Sequence, residues 1–194
     1  MNKKIMVKDV FFDLDHTLWD FDKNSMLAFK RVFKKFKINI EFDAFLKIYE
    51  PINVEYWKKY REDKVSKENL RRGRLIDSFN FFDLIYTTEK IDKIADAYIQ
   101  ELPFDNHLFE GALEILDYLT LKYKLHIITN GFEEVQYKKL KNSGIVHFFS
   151  TVTTSEEVGV KKPNSKVFLT ALKKANSLPE ESVMIGDSIE ADIF

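Results

Sequence analysis

The chain has 194 residues, 30 Lys and Arg against 31 Asp and Glu, a net charge of -1, and 45% hydrophobic residues including 18 Phe. This composition can bury a core and excludes disorder over most of the chain, and the balanced charge excludes a global field for nucleic acid or an anionic membrane. The absence of Cys excludes disulfides, thiol catalysis and Cys-based zinc sites.

The first expected element is a strand over residues 10–12, beginning nearer Ile5. Lys8 and Asp9 interrupt it before a signal-peptide core can form, and no segment offers the ~18 uninterrupted apolar residues of a membrane helix. A soluble, cytoplasmic protein is the expectation. From about Phe21 to Gln100 the periodicity is helical. Met26, Phe29, Val32, Phe33 and Phe36 share one face; Phe42, Phe45, Leu46 and Tyr49 form a second stripe, which Pro51 is expected to end or kink. Ser66 is placed to cap a third helix through Leu70, Leu75 and Phe79, and Ile91, Ile94, Ala95, Tyr98 and Leu102 mark a fourth. Four amphipathic helices without an intervening strand predict a small bundle inserted after the first strand, over residues 20–103. The basic runs 34–37 and 71–74 read as its solvated faces rather than nucleic-acid sites, and Trp19, Phe21, Tyr56 and Trp57 mostly as its core.

After Pro103 the pattern changes. Short apolar runs at 125–128, 148–152 and 182–185 alternate with helical stripes, among them Val167, Phe168, Ala171, Leu172 and Ala175 behind a plausible N-cap at Asn164. Together with 10–12 these runs predict an α/β, doubly wound parallel sheet built from residues 1–19 and 104–194. His126 falls inside a strand and reads as a satisfied core or edge residue, and His16 as a turn residue facing solvent.

Ligands of open parallel sheets bind at the carboxyl ends of the strands. Those ends here carry Asp13 and Asp15, then Thr129 and Asn130, then 153–156, then Asp187. Three convergent carboxylates repel one another unless a cation separates them, and hard oxygen donors select Mg²⁺. Lys162, in a loop before a helix, can bring positive charge to the same mouth. A set of solvated loop acids is the plain alternative, which the convergence of all three argues against.

The strings FDLDHTLWD at 12–20, ITNG at 128–131, GVKKPN at 159–164 and GDSIEAD at 186–192 resemble, in order, the four motifs of the haloacid dehalogenase superfamily. The inserted bundle resembles that superfamily's smaller helical cap. Within the superfamily, the FDLDHTLWDF start, ITNGF and SEEVGVKKPN look most like the YjjG-type pyrimidine 5'-nucleotidases. The resemblance implies a Rossmann-like core and a Mg²⁺-dependent phosphomonoester hydrolase acting through an aspartyl-phosphate. It implies Asp13 as nucleophile and Asp15 as acid and base, with Asp13, Asp187 and the Asp15 carbonyl around the metal. Thr129, the Asn130 amide and Lys162 would hold phosphate, and Asp192 would steady Asp187 or Lys162. Thr17 either orients Asp15 or is a simple turn hydroxyl. Asp15 disfavours dehalogenation, since a halide leaves without a proton; sugar phosphomutases share both acids and stay open.

The implied partner is a small phosphorylated metabolite, a nucleotide first, in a monomer or homodimer, with no nucleic acid or membrane involved. The superfamily's chains continue past the fourth motif, so part of the core is expected to be missing after Phe194. An exposed apolar sheet edge would follow. A sugar or organic-acid phosphate as substrate, or a truncated phosphate- or partner-binding domain without turnover, are the alternatives.

Overall fold

The computed structural model describes residues 6–193. In chain order the elements are β1 (Asp9–Phe12), α1 (Phe21–Phe36), α2 (Phe42–Arg61), α3 (Lys67–Asn80), α4 (Thr88–Glu101), α5 (Ala112–Thr120), β2 (Lys124–Thr129), α6 (Glu133–Asn142), β3 (Phe149–Thr154), α7 (Ser155–Val158), α8 (Ser165–Ala175), β4 (Ser182–Ile185) and α9 (Ile189–Asp192). The described residues divide into two units, one running up to Asn24 and resuming at Asn106, the other Ser25–Asp105.

The first unit is an α/β fold on a four-stranded parallel sheet of order β3-β2-β1-β4. Register sets the faces. Val10 pairs with Leu125 and Val183, and Phe12 with Ile127 and Ile185, so these residues point one way. Phe11, Ile128 and Met184 point the other way and pack on Val167, Phe168, Ala171 and Leu172 of α8, the stripe expected from the sequence. Strands buried on both faces need apolar residues at every position, which is why β1 and β2 read as continuous runs. Asn164 caps α8 by accepting from the Lys166 amide.

His126 is a buried polar residue in the middle of β2. Its Nε2 lies 3.1 Å from Asp9 Oδ1, its Nδ1 2.8 Å from Thr151 Oγ1, and its ring stacks on Phe11 with centroids 4.6 Å apart. It is a satisfied core histidine. Burial pushes its pKa below the ordinary value, which the hydrogen bond to Asp9 only partly offsets.

Element boundaries differ from the sequence expectation in places. The first strand begins at Asp9; Ile5, where an earlier start was expected, lies outside the described residues. β3 runs Phe149–Thr154 rather than 148–152, because Val146–Phe148 close a 3-10 turn first. β4 lies at the sheet edge, with Val183 and Ile185 each 40% exposed.

In the second unit the apolar stripes of α1 to α4 meet in an aromatic cluster. Phe29 packs on Phe45, Tyr49 and Tyr98 at centroid distances of 5.3, 4.6 and 4.1 Å, and Phe45 stacks on Phe79 at 5.5 Å. Each such pair contributes ~0.5–1.5 kcal/mol beyond its area burial. Ser66 caps α3 by accepting from the Asn69 amide. Pro51 does not end α2. It removes one internal hydrogen bond, but buried Tyr49 and Asn53 on either side and buried Tyr60 beyond keep the helix running to Arg61.

Two further expectations are corrected. Trp19 is not part of the bundle; it is fully buried in the first unit, its ring 4.1 Å from the Lys139 ammonium. Arg74 is not solvated. It is buried over the rings of Tyr49 and Tyr98 and donates to Asn53 Oδ1 at 2.7 Å, because the i, i+4 neighbours Leu70 and Ser78 turn its face of α3 inward. Arg71 and Arg72 are bound by Asp96 and Asp92 of α4. No described helix is long and apolar enough to cross a membrane.

Candidate active site

Asp13 follows β1 directly, its amide donating to the Ile185 carbonyl of β4 at 2.8 Å and so continuing the strand ladder by one residue. This places its side chain at the carboxyl ends of the central strands. Asp13 Oδ1 accepts from Lys162 Nζ at 2.8 Å, and the same ammonium donates to Asp192 Oδ1 at 2.5 Å. All three residues are buried. One cation between two carboxylates leaves a net negative charge inside the protein. Burial is the main force raising the Asp13 pKa from 3.8 to about 6, Lys162 opposing it and Asp192 adding to it. For Lys162 burial works against the charged form, yet Asp13 and Asp192 outweigh it and its pKa lies above the ordinary lysine value.

Asp187 enters from the turn after β4. Asp13, Asp187 and Asp192 each offer a carboxylate oxygen within 4.8 Å of the others. This is an all-oxygen, anionic donor set, and it fits a hard divalent cation such as Mg²⁺. Asp192 is the least available of the three, since Lys162 takes Oδ1 and the Ser188 amide donates to Oδ2 at 3.1 Å. Gly186 is required at this bend: a Cβ there would lie 2.1 Å from Asp192 Oδ2.

Thr129 ends β2, and Asn130 begins the turn into α6. The Asn130 side chain binds the Lys162 main chain twice, accepting from its amide at 2.8 Å and donating to its carbonyl at 3.0 Å. The sequence pointed to the backbone amide of Asn130 and gave no sign of this side-chain clasp. Thr129 Oγ1 accepts from the Gly131 amide at 3.1 Å and from Gln136 Nε2 at 2.7 Å.

Asp15 stands apart from the other carboxylates. Its Oδ1 accepts from Lys139 Nζ at 2.5 Å and its Oδ2 from Gln136 Nε2 at 3.0 Å. Lys139 and Gln136 are both buried on α6. Burial pushes the Lys139 pKa below the ordinary lysine value, with Asp15 opposing. Sequence reasoning missed both residues, which look like ordinary members of a helix; the signal available was their i, i+3 spacing just after ITNG. Thr17 does not hydrogen-bond to Asp15: its buried hydroxyl has no hydrogen-bond partner among the described residues. His16 sits exposed in the turn at φ 61°.

The sequence profile of the haloacid dehalogenase-like hydrolases matches residues 10–194. The chain belongs to that family. Among its relatives, pyrimidine 5'-nucleotidase YjjG of Escherichia coli (strain K12) is 32% identical over 187 residues, covering 95% of this chain and 79% of that protein. A glyceraldehyde 3-phosphate phosphatase of Methanothermobacter thermautotrophicus is 33% identical over 198 residues, covering 97% and 80%. The magnesium-bound crystal structure of the HAD-hydrolase YfnB from Bacillus subtilis superposes with a TM-score of 0.86 at 27% identity, covering 97% of this chain and 83% of that one. Three of the four motifs that carried the resemblance lie at strand ends, and the third, 159–164, is the loop between α7 and α8, tied to the end of β2 through Asn130.

Proposed function

We propose that this haloacid dehalogenase-like hydrolase cleaves phosphate monoesters through an aspartyl-phosphate on Asp13, with pyrimidine nucleoside 5'-monophosphates as substrates. The observation that carries the reading is the buried Asp13–Lys162–Asp192 chain beside Asp187 at the strand ends. A nucleophilic carboxylate must be ionised, close to a fixed cation, and held rigidly, and Asp13 meets these needs. Asp13 and Asp187, with the main-chain carbonyl of Asp15, would hold Mg²⁺, which when bound supplies positive charge against the phosphate anion.

The protein's own residues then divide the work. Thr129 and the Asn130 amide bind phosphate oxygens, and Lys162 neutralises the group in transfer. The Asp13 oxygen bonds to phosphorus as the ester P–O bond breaks, and Asp15 delivers a proton to the departing alkoxide oxygen. In the second half Asp15 takes a proton from water as that water attacks the phosphoenzyme, releasing phosphate and restoring Asp13. Asp192 positions Lys162. The bundle over residues 20–103 is assigned the role of a cap that excludes bulk water.

The nucleotide choice is supported by the relation to the YjjG nucleotidase; the similar identity to a glyceraldehyde 3-phosphate phosphatase favours a second reading, a small sugar phosphate. The test is hydrolysis of UMP, dUMP and dTMP beside glyceraldehyde 3-phosphate with Mg²⁺, using Asp13→Asn as control. Turnover of the nucleotides by wild type alone is expected. A sugar phosphate preferred by about tenfold or more transfers the assignment to the second reading, since tenfold is about 1.4 kcal/mol of transition-state discrimination. Equal background in wild type and control leaves only phosphate or partner binding.

A further inference from the structure

The buried pair on α6 has no part in the chemistry just assigned, yet it consumes the whole charge of a buried lysine. Lys139 Nζ is enclosed by the Asp15 carboxylate and by the faces of Trp19 and Phe21, at 4.1 and 5.2 Å from the ring centroids. Gln136 donates both of its amide hydrogens, one to Asp15 Oδ2 and one to Thr129 Oγ1. The amide can reach both only because residue 131 is glycine: a Cβ there would lie 2.4 Å from Gln136 Cδ.

Two consequences follow from donor and acceptor counting. Asp15 has one donor fixed on each oxygen, which sets both its rotamer and the direction of its remaining lone pairs. Thr129 Oγ1 accepts twice, from Gln136 and from the Gly131 amide, so both hydroxyl lone pairs are filled. Its single hydrogen is left to donate to an acceptor other than these two, and an anionic phosphate oxygen is such an acceptor.

We infer that Gln136 and Lys139 are positioning residues for phosphoryl transfer: together they lock the carboxylate of Asp15, and Gln136 also commits the Thr129 hydroxyl to donating. The inference rests on the proposed role of Asp15 as proton donor. As an acid, Asp15 carries its proton on one of the lone pairs that the two anchors leave open, and a carboxyl group held in this way needs no reorganisation before transferring that proton, which is where positioned groups gain their rate.

The test exploits leaving-group chemistry. An alkoxide leaving from UMP needs a proton, whereas p-nitrophenolate leaving from p-nitrophenyl phosphate does not. Lys139→Met removes the ammonium while keeping an unbranched side chain, and Gln136→Glu replaces a donor by an acceptor of the same shape. With Mg²⁺, in first-turnover measurements, both variants are expected to slow UMP cleavage by ~10²-fold, the scale of a general-acid contribution, while the nitrophenolate burst falls less than about fivefold. Gln136→Glu, but not Lys139→Met, is expected also to weaken inhibition by inorganic phosphate, because the Thr129 hydroxyl then donates to the carboxylate introduced on α6 instead of outward.

Equal slowing of both substrates, at melting temperatures near wild type, overturns the inference. Asp15→Asn separates it from the reading beneath it. If Asp15→Asn is leaving-group selective and the two α6 variants are not, the positioning roles fail alone; if Asp15→Asn is unselective, the acid role of Asp15 fails and the inference falls with it. Should Lys139→Met not fold, Gln136→Glu decides the question by the same two readouts.

Discussion

Replacing Asp13 by Asn is expected to stabilise the metal-free protein while abolishing its turnover. The native site holds two buried carboxylates on one ammonium, and burial raises Asp13 from 3.8 to about 6. A raised folded pKa means that the unfolded chain gives up this proton first. The contribution of Asp13 to stability is therefore intact below pH ~4 and is lost as pH rises to about 6. The full loss corresponds to about 3 kcal/mol at 1.36 kcal/mol per pKa unit. Asn has the same shape, can still accept from Lys162, and carries no proton to lose. Urea unfolding of both proteins in EDTA, at intervals from pH 4 to pH 8, isolates the effect because groups that titrate alike in both proteins cancel in the difference. The variant should gain on wild type by about 2.5 kcal/mol across that range, a plateau being reached above pH ~6.5. Adding Mg²⁺ should narrow the gap by stabilising wild type. A difference that is flat with pH, or that favours wild type at pH 8, refutes the idea that excess buried negative charge is stored at Asp13.

Other outcomes follow from single contacts. Gly186→Ala drives a methyl group into Asp192 Oδ2, so it should cost ~10²-fold in kcat through Lys162, the scale of an ångström-sized misplacement, with circular dichroism unchanged. Ser66→Ala removes the cap of α3 and should lower stability by about 1 kcal/mol in thermal or urea unfolding while leaving kcat untouched. His126, whose folded pKa is depressed by burial, contributes stability that is present above pH ~6.5 and lost as pH falls below it. In a comparison of unfolding free energies between pH 7 and 5, His126→Asn should lack that decline, and an identical slope in both proteins would exclude His126 as its source.

The sequence disclosed the elements whose cause is local. Periodicity marked β1 and β2, the α8 stripe and the bundle helices, and Ser66 and Asn164 announced two helix starts through side-chain chemistry that acts within three residues. The strand-end rule then pointed to Asp13, Asp15, Thr129, Asn130 and Asp187 at one edge of the sheet, and Lys162 was added from its place in a loop before a helix. What stayed hidden depends on long-range placement. Gln136 and Lys139 meet Asp15 across more than 120 positions of chain, and a lysine in a run such as QYKKLK looks solvated until the fold encloses it. Arg74 misleads for the same reason, its basic run concealing one inward-facing member. Pro51 misleads in the opposite direction, because a local penalty is outweighed by packing along the remainder of α2. Thr17, two positions from Asp15 in sequence, gives way to a partner from a distant helix.

The paired grip of the Asn130 side-chain amide on the main chain of Lys162 makes one mechanical body of two segments 32 residues apart. Thermal breathing cannot widen the gap between the threonine turn and the lysine loop without breaking both bonds at once. Backbone amides on the two sides should accordingly exchange with deuterium at a common rate, and a shortened or branched residue at 130 would let each segment drift on its own.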